Sequence, residues 1–315
     1  MAQSGKNIGV LIMAYGGPNS LDEVEPFLAD IRRGRPTPKE LLDEITERYR
    51  AIGGRSPILE LTTAQAKSIE RELNATGDGN TYRCYVGMRH WHPYIEEVVP
   101  QILKDGVDLI VGAVMAPHFS RMSVGAYMGK LEKALKESGA EVPVAQVRTW
   151  KAEPDFINSV VAKIEAAFAE HFSDRQWDDV VVLFTAHSLP ARVEESGDPY
   201  RQEILASVEL VAEQMGLTNY RFAFQSQGAT ADPWLGPSVE ETLDEFESDG
   251  VKDMLIVPIG FVCDHVEVLF DIDIEHKEQA TEKGIRLERT EMLNDDPGLA
   301  KAVANAVRAA VAEAA

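Results

Sequence analysis

Short apolar runs alternate with longer amphipathic stretches along most of the chain. The runs "NIGVLIMA" (7–14), "VVVLFTA" (180–186) and "MLIVPI" (254–259) are apolar at nearly every position, as is typical of strands buried on both faces of a sheet. The stretches between them are long enough for helices with one apolar face. This alternation predicts an α/β fold, in which a parallel sheet is covered by helices.

The order of motifs repeats in the second part of the chain. Three pairs of segments correspond in the same order: 7–18 with 178–190, 82–120 with 220–265, and 148–161 with 289–303. The second pair shares "DGV" before a strand, and the third shares "RT" followed by a proline that opens a helix. Such repetition indicates an internal duplication. We therefore predict two similar α/β halves, 1–172 and 178–315, which face each other across a cleft.

Unusual residues stand where the predicted strands end, and ligands of parallel sheets bind beyond the carboxyl ends of the strands. Tyr15 follows "VLIMA", and His187 follows "VVVLFTA". The segment "APHFSRMS" (116–123) follows "LIVGAVM", and "GFVCDHVEVLFDIDIE" (260–275) follows "MLIVPI". We expect these four loops to converge on the cleft.

The segment 260–275 places carboxylates among large apolar residues. If it forms a helix, Glu267, Asp271 and Glu275 lie at i, i+4 and i+8 on one face, which is unfavourable without a cation. His187, from a neighbouring strand of the same half, adds an imidazole, and this combination suits a divalent metal such as Fe²⁺. Because two protein ligands leave the coordination shell open, the pattern indicates metal in transit.

His187 can also have a purely structural role, since a single histidine is more often structural than catalytic. The sequence leaves that alternative open. The adjacent Ser188 does not lie in a GxSxG elbow. Walker A, GxGxxG and HExxH motifs are absent as well. Hydrolase, nucleotide and thermolysin-like zinc chemistry therefore lack their usual motifs.

Five arginines lie close together between residues 32 and 50, although the formal net charge is −21. They form either a solvated basic loop or a docking surface for an anionic ligand, whose carboxylates arginine binds well. The glycines of "AIGGRSP" (51–57) allow backbone to approach such a ligand closely. Tyr15, Tyr49 and Tyr127 belong either to the core or to the wall of a flat apolar pocket.

The composition limits where the protein acts. The negative charge disfavours nucleic acid and anionic membranes as partners, since both require basic surface. No apolar run approaches the roughly 18 residues of a membrane span, and the N-terminal residues lack a cleavable signal pattern. Cys84 and Cys263 form neither a CxxC motif nor a disulfide framework. We expect a cytoplasmic protein that is not integral to the membrane and does not bind nucleic acid.

Together these motifs resemble those of ferrochelatases, the enzymes that insert ferrous iron into a porphyrin in haem biosynthesis. The motifs stand in the family's order over essentially the whole chain: "MAYGGP", "RYRAIGGRSP", "APHFSRMSVGAY", "AHSLP", "SQGATADPWLGP" and "GFVCDHVEVLFDIDIE". The resemblance implies two Rossmann-like halves of parallel sheet and helices, with the porphyrin in the cleft between them. This agrees with the predicted duplication.

The resemblance implies roles for ten residues. His187 and Glu267 match the family's catalytic iron-site pair, and Asp271 and Glu275 match an acidic line that leads outward. Tyr15 matches a tyrosine of the coproporphyrin III branch of Gram-positive bacteria, where it binds the product's iron from the opposite face; the protoporphyrin IX branch usually has methionine. Five further positions match residues near the porphyrin or near a hydrated cation such as Mg²⁺: Arg32, Arg48, Tyr49, Ser56 and Tyr127. Trp91 and His92 are family-variable and receive no role.

The resemblance implies insertion of iron into coproporphyrin III, with Fe²⁺ as a substrate and no tightly bound cofactor. Because the porphyrin loses two pyrrole protons as iron enters, His187 serves as iron ligand or as base, and the sequence leaves both roles open. The cysteines that bind an iron–sulfur cluster in some family members are missing, so we expect none. We also expect transient contact with the next enzyme of the pathway, coprohaem decarboxylase.

Several alternatives remain at this point. A protoporphyrin IX ferrochelatase shares the same motifs, and a haem or metal carrier would use the same cleft without turnover. A related chelatase would insert cobalt or nickel, although such relatives tend to carry histidine-rich metal sites. A two-lobed solute-binding protein is disfavoured by the absence of a signal pattern.

Overall fold

The computed structural model describes residues 5–75, 77–228 and 232–314. Within these ranges the chain forms two parallel sheets, and the first contains four strands: β1 (Asn7–Ala14), β2 (Thr81–Met88), β3 (Leu109–Val114) and β4 (Val144–Val147). Their order across the sheet is β2-β1-β3-β4. The central strands β1 and β3 are buried at nearly every position, as their continuous apolar sequences predict.

The second sheet repeats the arrangement of the first. Its strands are β5 (Val180–His187), β6 (Tyr220–Gln225), β7 (Asp253–Val257) and β8 (Arg286–Arg289). Their order is β6-β5-β7-β8, so each strand occupies the same place as its counterpart in the first sheet. The prediction of two similar Rossmann-like α/β halves is confirmed.

Helices connect the strands in the right order for parallel pairing. Those before β5 are α1 (Val24–Ile31), α2 (Lys39–Ala51), α3 (Ile58–Ala75), α4 (Ile95–Lys104), α5 (Val124–Ser138) and α6 (Pro154–His171). Those after β5 are α7 (Arg192–Glu195), α8 (Tyr200–Met215), α9 (Val239–Asp249), α10 (Val266–Leu269), α11 (Lys277–Glu282) and α12 (Pro297–Glu313). A π-helical turn, Asp271–His276, joins α10 to α11.

The repeated motifs have the same structural function in both halves. Gly106 and Gly250 of the two "DGV" segments have positive φ angles of 69° and 76° and end α4 and α9. Glycine suits these positions because a Cβ disfavours the left-handed conformation. Pro154 and Pro297 each occupy the first helical position after an "RT" segment, where proline's missing N–H costs nothing.

The last helix of each half packs on the sheet of the other half. α6 contacts β7 and β8, α12 contacts β3 and β4, and the two helices also contact each other. Apolar residues at helical spacing make this packing possible; in α6 they include Phe156, Val160 and Ile164. One hydrophobic core therefore runs through both halves. The predicted division into 1–172 and 178–315 stays a prediction, since this core continues across it.

A separate small cluster surrounds α1 and α2. It includes Val24, Phe27, Tyr49 and Trp91, and Val266 at the start of α10 packs against it. The two helices thus form an extension of the first half that reaches the loop after β7. In the described ranges, no helix combines the length and apolarity that crossing a membrane requires.

Candidate active site

The region at the carboxyl ends of β1, β5 and β7, here called the cleft, holds several of the predicted site residues. Tyr15 directly follows β1, and His187 is the last residue of β5. Glu267 lies in the first turn of α10, which follows β7 after a short loop. The fold thus brings together residues that are far apart in sequence, since Glu267 pairs with His187 and its charge acts on Tyr15.

His187 and Glu267 form an ion pair in this cleft. The His187 Nε2 atom lies 3.4 Å from Glu267 Oε1, and both side chains are about a third exposed. The His187 Nδ1–H donates to the main-chain carbonyl of Ser188. Because a carbonyl oxygen only accepts, this bond keeps hydrogen on Nδ1 and directs Nε2 toward Glu267.

A second histidine, His265, faces the other oxygen of the Glu267 carboxylate. His265 Nε2 lies 3.3 Å from the other Glu267 carboxylate oxygen, and its Nδ1 bonds the carbonyl of Cys263. Burial would raise the pKa of Glu267, but His187 and His265 outweigh it and hold that pKa well below its usual range. Burial alone would lower the pKa of His187. The Glu267 charge outweighs burial and raises the pKa of His187 to about 9. These two shifts favour a protonated His187 beside an ionised Glu267 near pH 7.

The carboxylates beyond Glu267 meet a resident cation, Arg48 of α2. Asp271 is 5% exposed, and its two oxygens accept from Arg48 Nη1 at 3.0 Å and from Ser226 Oγ at 2.6 Å. Glu275 lies 3.8 Å from Arg48 Nη2 and is more exposed. Burial is the main cause that raises the pKa of Asp271, and the Glu267 charge adds to it. Asp271 and Glu275 therefore follow Glu267 along the same segment, and both lie close to Arg48.

The π-helical turn separates the acidic residues into two directions. The amide of Glu275 bonds the carbonyl of Phe270, five residues earlier. Asp273, which lies in the same turn, points away from Arg48 and accepts from Arg289 at 2.7 and 2.8 Å. π-Helical insertions often occur at functional sites, where they re-aim side chains.

Three tyrosines line the cleft near Glu267. Tyr49 and Tyr127 are buried, whereas Tyr15 is 39% exposed. Burial, and after it the Glu267 charge, raises the pKa of Tyr15 to about 12. The same two causes raise the pKa of Tyr49, and burial is the main cause for Tyr127. All three phenols are therefore neutral near pH 7, and a bound cation would be needed to make Tyr15 a phenolate.

Arg32 and Ser56 contact other parts of the first half. Arg32 follows α1, and its buried Nε–H has no hydrogen-bond partner in the described ranges. Ser56 is 8% exposed and approaches Gly17 so closely that a Cβ there would lie 2.6 Å from the serine side chain. No hydrogen bond or ion pair within 5–75, 77–228 and 232–314 joins either residue to the other eight predicted site residues.

A separate groove lies elsewhere on the surface. This groove of about 920 Å³ lies between α3 and the start of α12, but none of the ten predicted residues lines it. In the part of the chain that the structure describes, no three histidine, cysteine, aspartate or glutamate side chains are arranged to hold a metal by themselves. Residues 229–231, within the motif "SQGATADPWLGP", lie outside the described residues.

Two histidines near the predicted site residues, His265 and His90, escaped the sequence interpretation. His265 stands only two residues before Glu267, and this spacing was its available signal. His90 bonds Asp30 at 2.7 Å through Nδ1 and packs on the Tyr15 ring, with centroids 4.6 Å apart. These partners lie 60 and 75 residues from His90, so no local pattern could reveal the contact. Trp91, which received no role, donates to Glu23 at 2.7 Å from within the small cluster around α1.

Comparison with known proteins decides the family. The family model for ferrochelatase matches residues 7–311. The chain belongs to the ferrochelatase family. It is 45% identical to the ferrochelatase of Herpetosiphon aurantiacus, over 91% of this chain and 94% of that protein. It is 41% identical to the coproporphyrin III ferrochelatase of Halalkalibacterium halodurans, over 98% of each.

Other members and the fold agree with this assignment. The coproporphyrin III ferrochelatase of Bacillus subtilis is 38% identical over 96% of this chain and 98% of its own length. The structure of SirB from Bacillus subtilis with Fe³⁺ superposes with a TM-score of 0.60 at 13% identity, over 98% of this chain and 96% of that one. The resemblance to ferrochelatases stated from the motifs is confirmed. The roles of the ten residues remain predictions.

Proposed function

We propose that this ferrochelatase inserts Fe²⁺ into coproporphyrin III and releases Fe-coproporphyrin III, coprohaem. The observation that carries the proposal is the His187–Glu267 pair, whose Nε2 and carboxylate meet at 3.4 Å at the strand ends of the cleft. Relatives named coproporphyrin III ferrochelatases at 37–41% identity support the choice of porphyrin. Membership of the family supports metal insertion itself.

The pair suits the removal of pyrrole protons as iron enters. The reaction releases two protons for each Fe²⁺ that binds the four pyrrole nitrogens. In the proposed site, the charge of the incoming Fe²⁺ favours neutral imidazole, so His187 releases its proton to water by way of Asp271 and Glu275. The neutral Nε2 then binds the metal or accepts a pyrrole proton. Glu267 stays ionised in both steps and attracts the metal.

The acidic line offers a path for ions. Asp271 and Glu275 lead from the pair toward solvent, and the raised pKa of Asp271 lets this carboxyl bind and release protons closer to neutral pH than a free aspartate. We propose that protons leave along this line. A hydrated Mg²⁺ beside Asp271 and Glu275 belongs to the same proposal, and such an ion would compete with Arg48 for Asp271.

Arginine distribution supports an acidic porphyrin. Coproporphyrin III carries four propionates, whereas protoporphyrin IX carries two and has vinyl groups in the other positions. Arg32 has a donor without a partner in the described ranges and lies beside the exposed Arg33 and Arg35. A charge-assisted hydrogen bond contributes roughly 1.5–3 kcal/mol where solvent is limited. Two additional propionates therefore favour coproporphyrin III by about tenfold or more.

An anaerobic competition experiment tests the choice of substrate. Equal concentrations of coproporphyrin III and protoporphyrin IX are supplied with Fe²⁺, and the loss of each free porphyrin is followed over many turnovers. We expect coproporphyrin III to be metallated first. Turnover beyond one equivalent excludes a carrier, and equal or faster metallation of protoporphyrin IX would overturn the substrate assignment while leaving the family intact.

Arg32→Ala sharpens the same experiment. We expect the variant to lose most of the preference for coproporphyrin III, with about a tenfold higher KM for that porphyrin and little change for protoporphyrin IX. Arg221→Ala is the matched control, because Arg221 is exposed near the amino end of β6, at the edge of the sheet away from the cleft. An unchanged preference in Arg32→Ala would exclude this arginine from substrate recognition.

A further inference from the structure

Tyr200, outside the ten predicted residues, contacts the main chain of His187. It opens α8, its ring is 8% exposed, and the ring stacks on Phe224 with centroids 6.2 Å apart. Its hydroxyl donates to the main-chain oxygen of His187 at 3.0 Å. Burial, followed by the Glu267 charge, raises the pKa of Tyr200, so the hydroxyl keeps the hydrogen that it donates.

At His187 strand β5 pairs with β6 alone, because its pairing with β7 ends at Phe184. His187 is the last residue of β5, and the chain leaves the sheet immediately after the Ser188 amide bonds Gln225 at 2.8 Å. The His187 imidazole is then oriented by the Ser188 carbonyl on one side and by Glu267 on the other. The peptide between residues 187 and 188 is thus fixed at both polar groups, because Tyr200 donates to its carbonyl and its amide donates to Gln225.

Tyr200 is in turn held from the other half of the molecule. Asp198 is 4% exposed, and its Oδ1 accepts from the Tyr200 amide at 3.1 Å. Its Oδ2 accepts from the Arg121 amide at 2.7 Å and from Ser120 Oγ at 3.1 Å, both in the cleft loop after β3. The Arg121 guanidinium also donates to the carbonyl of Ser196 at 2.9 Å. The loop before α8 therefore spans from the first half to His187.

We infer that Tyr200 is a positioning residue that fixes the imidazole of His187, and that Asp198 holds Tyr200 in register with the cleft loop of the first half. Neither side chain is assigned a contact with iron or porphyrin. This inference rests on the proposed function, because positioning His187 matters only if His187 takes part in metal insertion.

Tyr200→Phe tests the inference, since it removes the hydroxyl and keeps the ring. Tyr85→Phe is the matched control: Tyr85 is also 8% exposed, and its hydroxyl donates to Asp105 at 2.7 Å in the first half, away from His187. We expect Tyr200→Phe to lower kcat about tenfold, with the KM for coproporphyrin III within about twofold of the unmodified value. The melting temperatures of the two variants should fall by similar amounts.

A second readout does not depend on turnover. The imidazole nitrogen and carbon NMR signals of His187, assigned by their loss in His187→Ala, are recorded for the complete protein without substrate. We expect them to shift or split in Tyr200→Phe and to stay unchanged in Tyr85→Phe. Asp198→Asn, which keeps the shape of the side chain, should shift the same signals less, and it replaces Tyr200→Phe if that variant does not fold.

The outcomes distinguish a failure of the proposed function from a failure of the positioning role of Tyr200. Absence of iron insertion by the unmodified protein contradicts the proposed function, and the NMR signals then decide the positioning role alone. If insertion occurs, the inference is overturned when either kcat or the His187 signals of Tyr200→Phe match those of the Tyr85→Phe control.

Discussion

His187 owes its chemistry to three neighbours that are fixed before any substrate arrives. The Ser188 carbonyl holds hydrogen on Nδ1, Glu267 faces Nε2, and Tyr200 holds the main chain. Strand-end position and residue type predicted that His187 and the segment with Glu267 lie close together, and the structure brings them to 3.4 Å. Their roles stay predictions. The Ser188 carbonyl and Tyr200 were not predictable, because a main-chain carbonyl carries no sequence pattern and Tyr200 lies 13 residues from His187.

Replacing either member of the pair should stop metal insertion. We expect His187→Ala and Glu267→Gln each to lower kcat at least about 100-fold, because one removes the ligand or base and the other removes the charge that attracts iron. His92→Ala is the control, since His92 is exposed and has no assigned role. Circular dichroism checks folding, and near-normal turnover by a folded His187→Ala variant would end the assignment.

The pair also predicts how stability depends on pH. Burial alone would lower the pKa of His187, but Glu267 raises it from 6.5 to about 9 in the folded protein. Because this folded-state pKa lies above the unfolded value, protonated His187 stabilises the folded protein. The stabilisation is fully present below pH 6.5 and is lost as pH rises toward 9. His265, whose pKa is also raised, acts in the same direction.

Urea unfolding at pH 6.5 and pH 9 measures this contribution. We expect the free energy of unfolding of the metal-free protein to fall more between these values than that of Glu267→Gln, in which neither histidine has its carboxylate. Parallel pH dependence in the two proteins would show that the pair is not charged in the fold.

At the scale of elements, the π-helical turn divides its three carboxylates between two arginines. Asp271 and Glu275 approach Arg48 in the cleft, while Asp273 binds Arg289 on the other side. The sequence predicted the stacking of like charges in 260–275 and the need for a cation. It did not show that Arg48 is a resident cation, because Arg48 and Asp271 are 223 residues apart.

Carboxylates on the two sides of this turn should respond differently to substitution. We expect Asp271→Asn and Glu275→Gln to raise the KM for Fe²⁺ about three- to tenfold with little change for the porphyrin, since each removes one charge from the acidic line. Asp273→Asn lies in the same turn and serves as the control, with lower stability and an unchanged KM for Fe²⁺. A weaker porphyrin interaction with unaltered iron dependence would exclude a role in ion transfer.

At the scale of the whole molecule, the exchange of α6 and α12 connects the two sheets. The two similar halves, the "DGV" segments and the prolines that open these helices were predictable from sequence. The exchange was not, because an apolar helical face shows that a helix is buried but not which sheet covers it. The buried apolar residues of α12, such as Leu299, Val303 and Val307, would suit either sheet.

Damage to α12 should therefore loosen the first half. We expect Leu299→Ala to lower the free energy of unfolding by about 2–5 kcal/mol and to speed hydrogen exchange in β3 and β4. Leu210→Ala is the control, because Leu210 is 37% exposed on α8. Loss of protection confined to β7 and β8 would contradict the packing of α12 on the first sheet.

The helix exchange also bears on how such a molecule arose. A single ancestral half with this packing would have left one face of its sheet bare, and two identical copies that traded their last helices would have covered both. A single chain that contains both halves can carry different residues at equivalent places, so a tyrosine follows β1 where the counterpart strand β5 ends in a histidine.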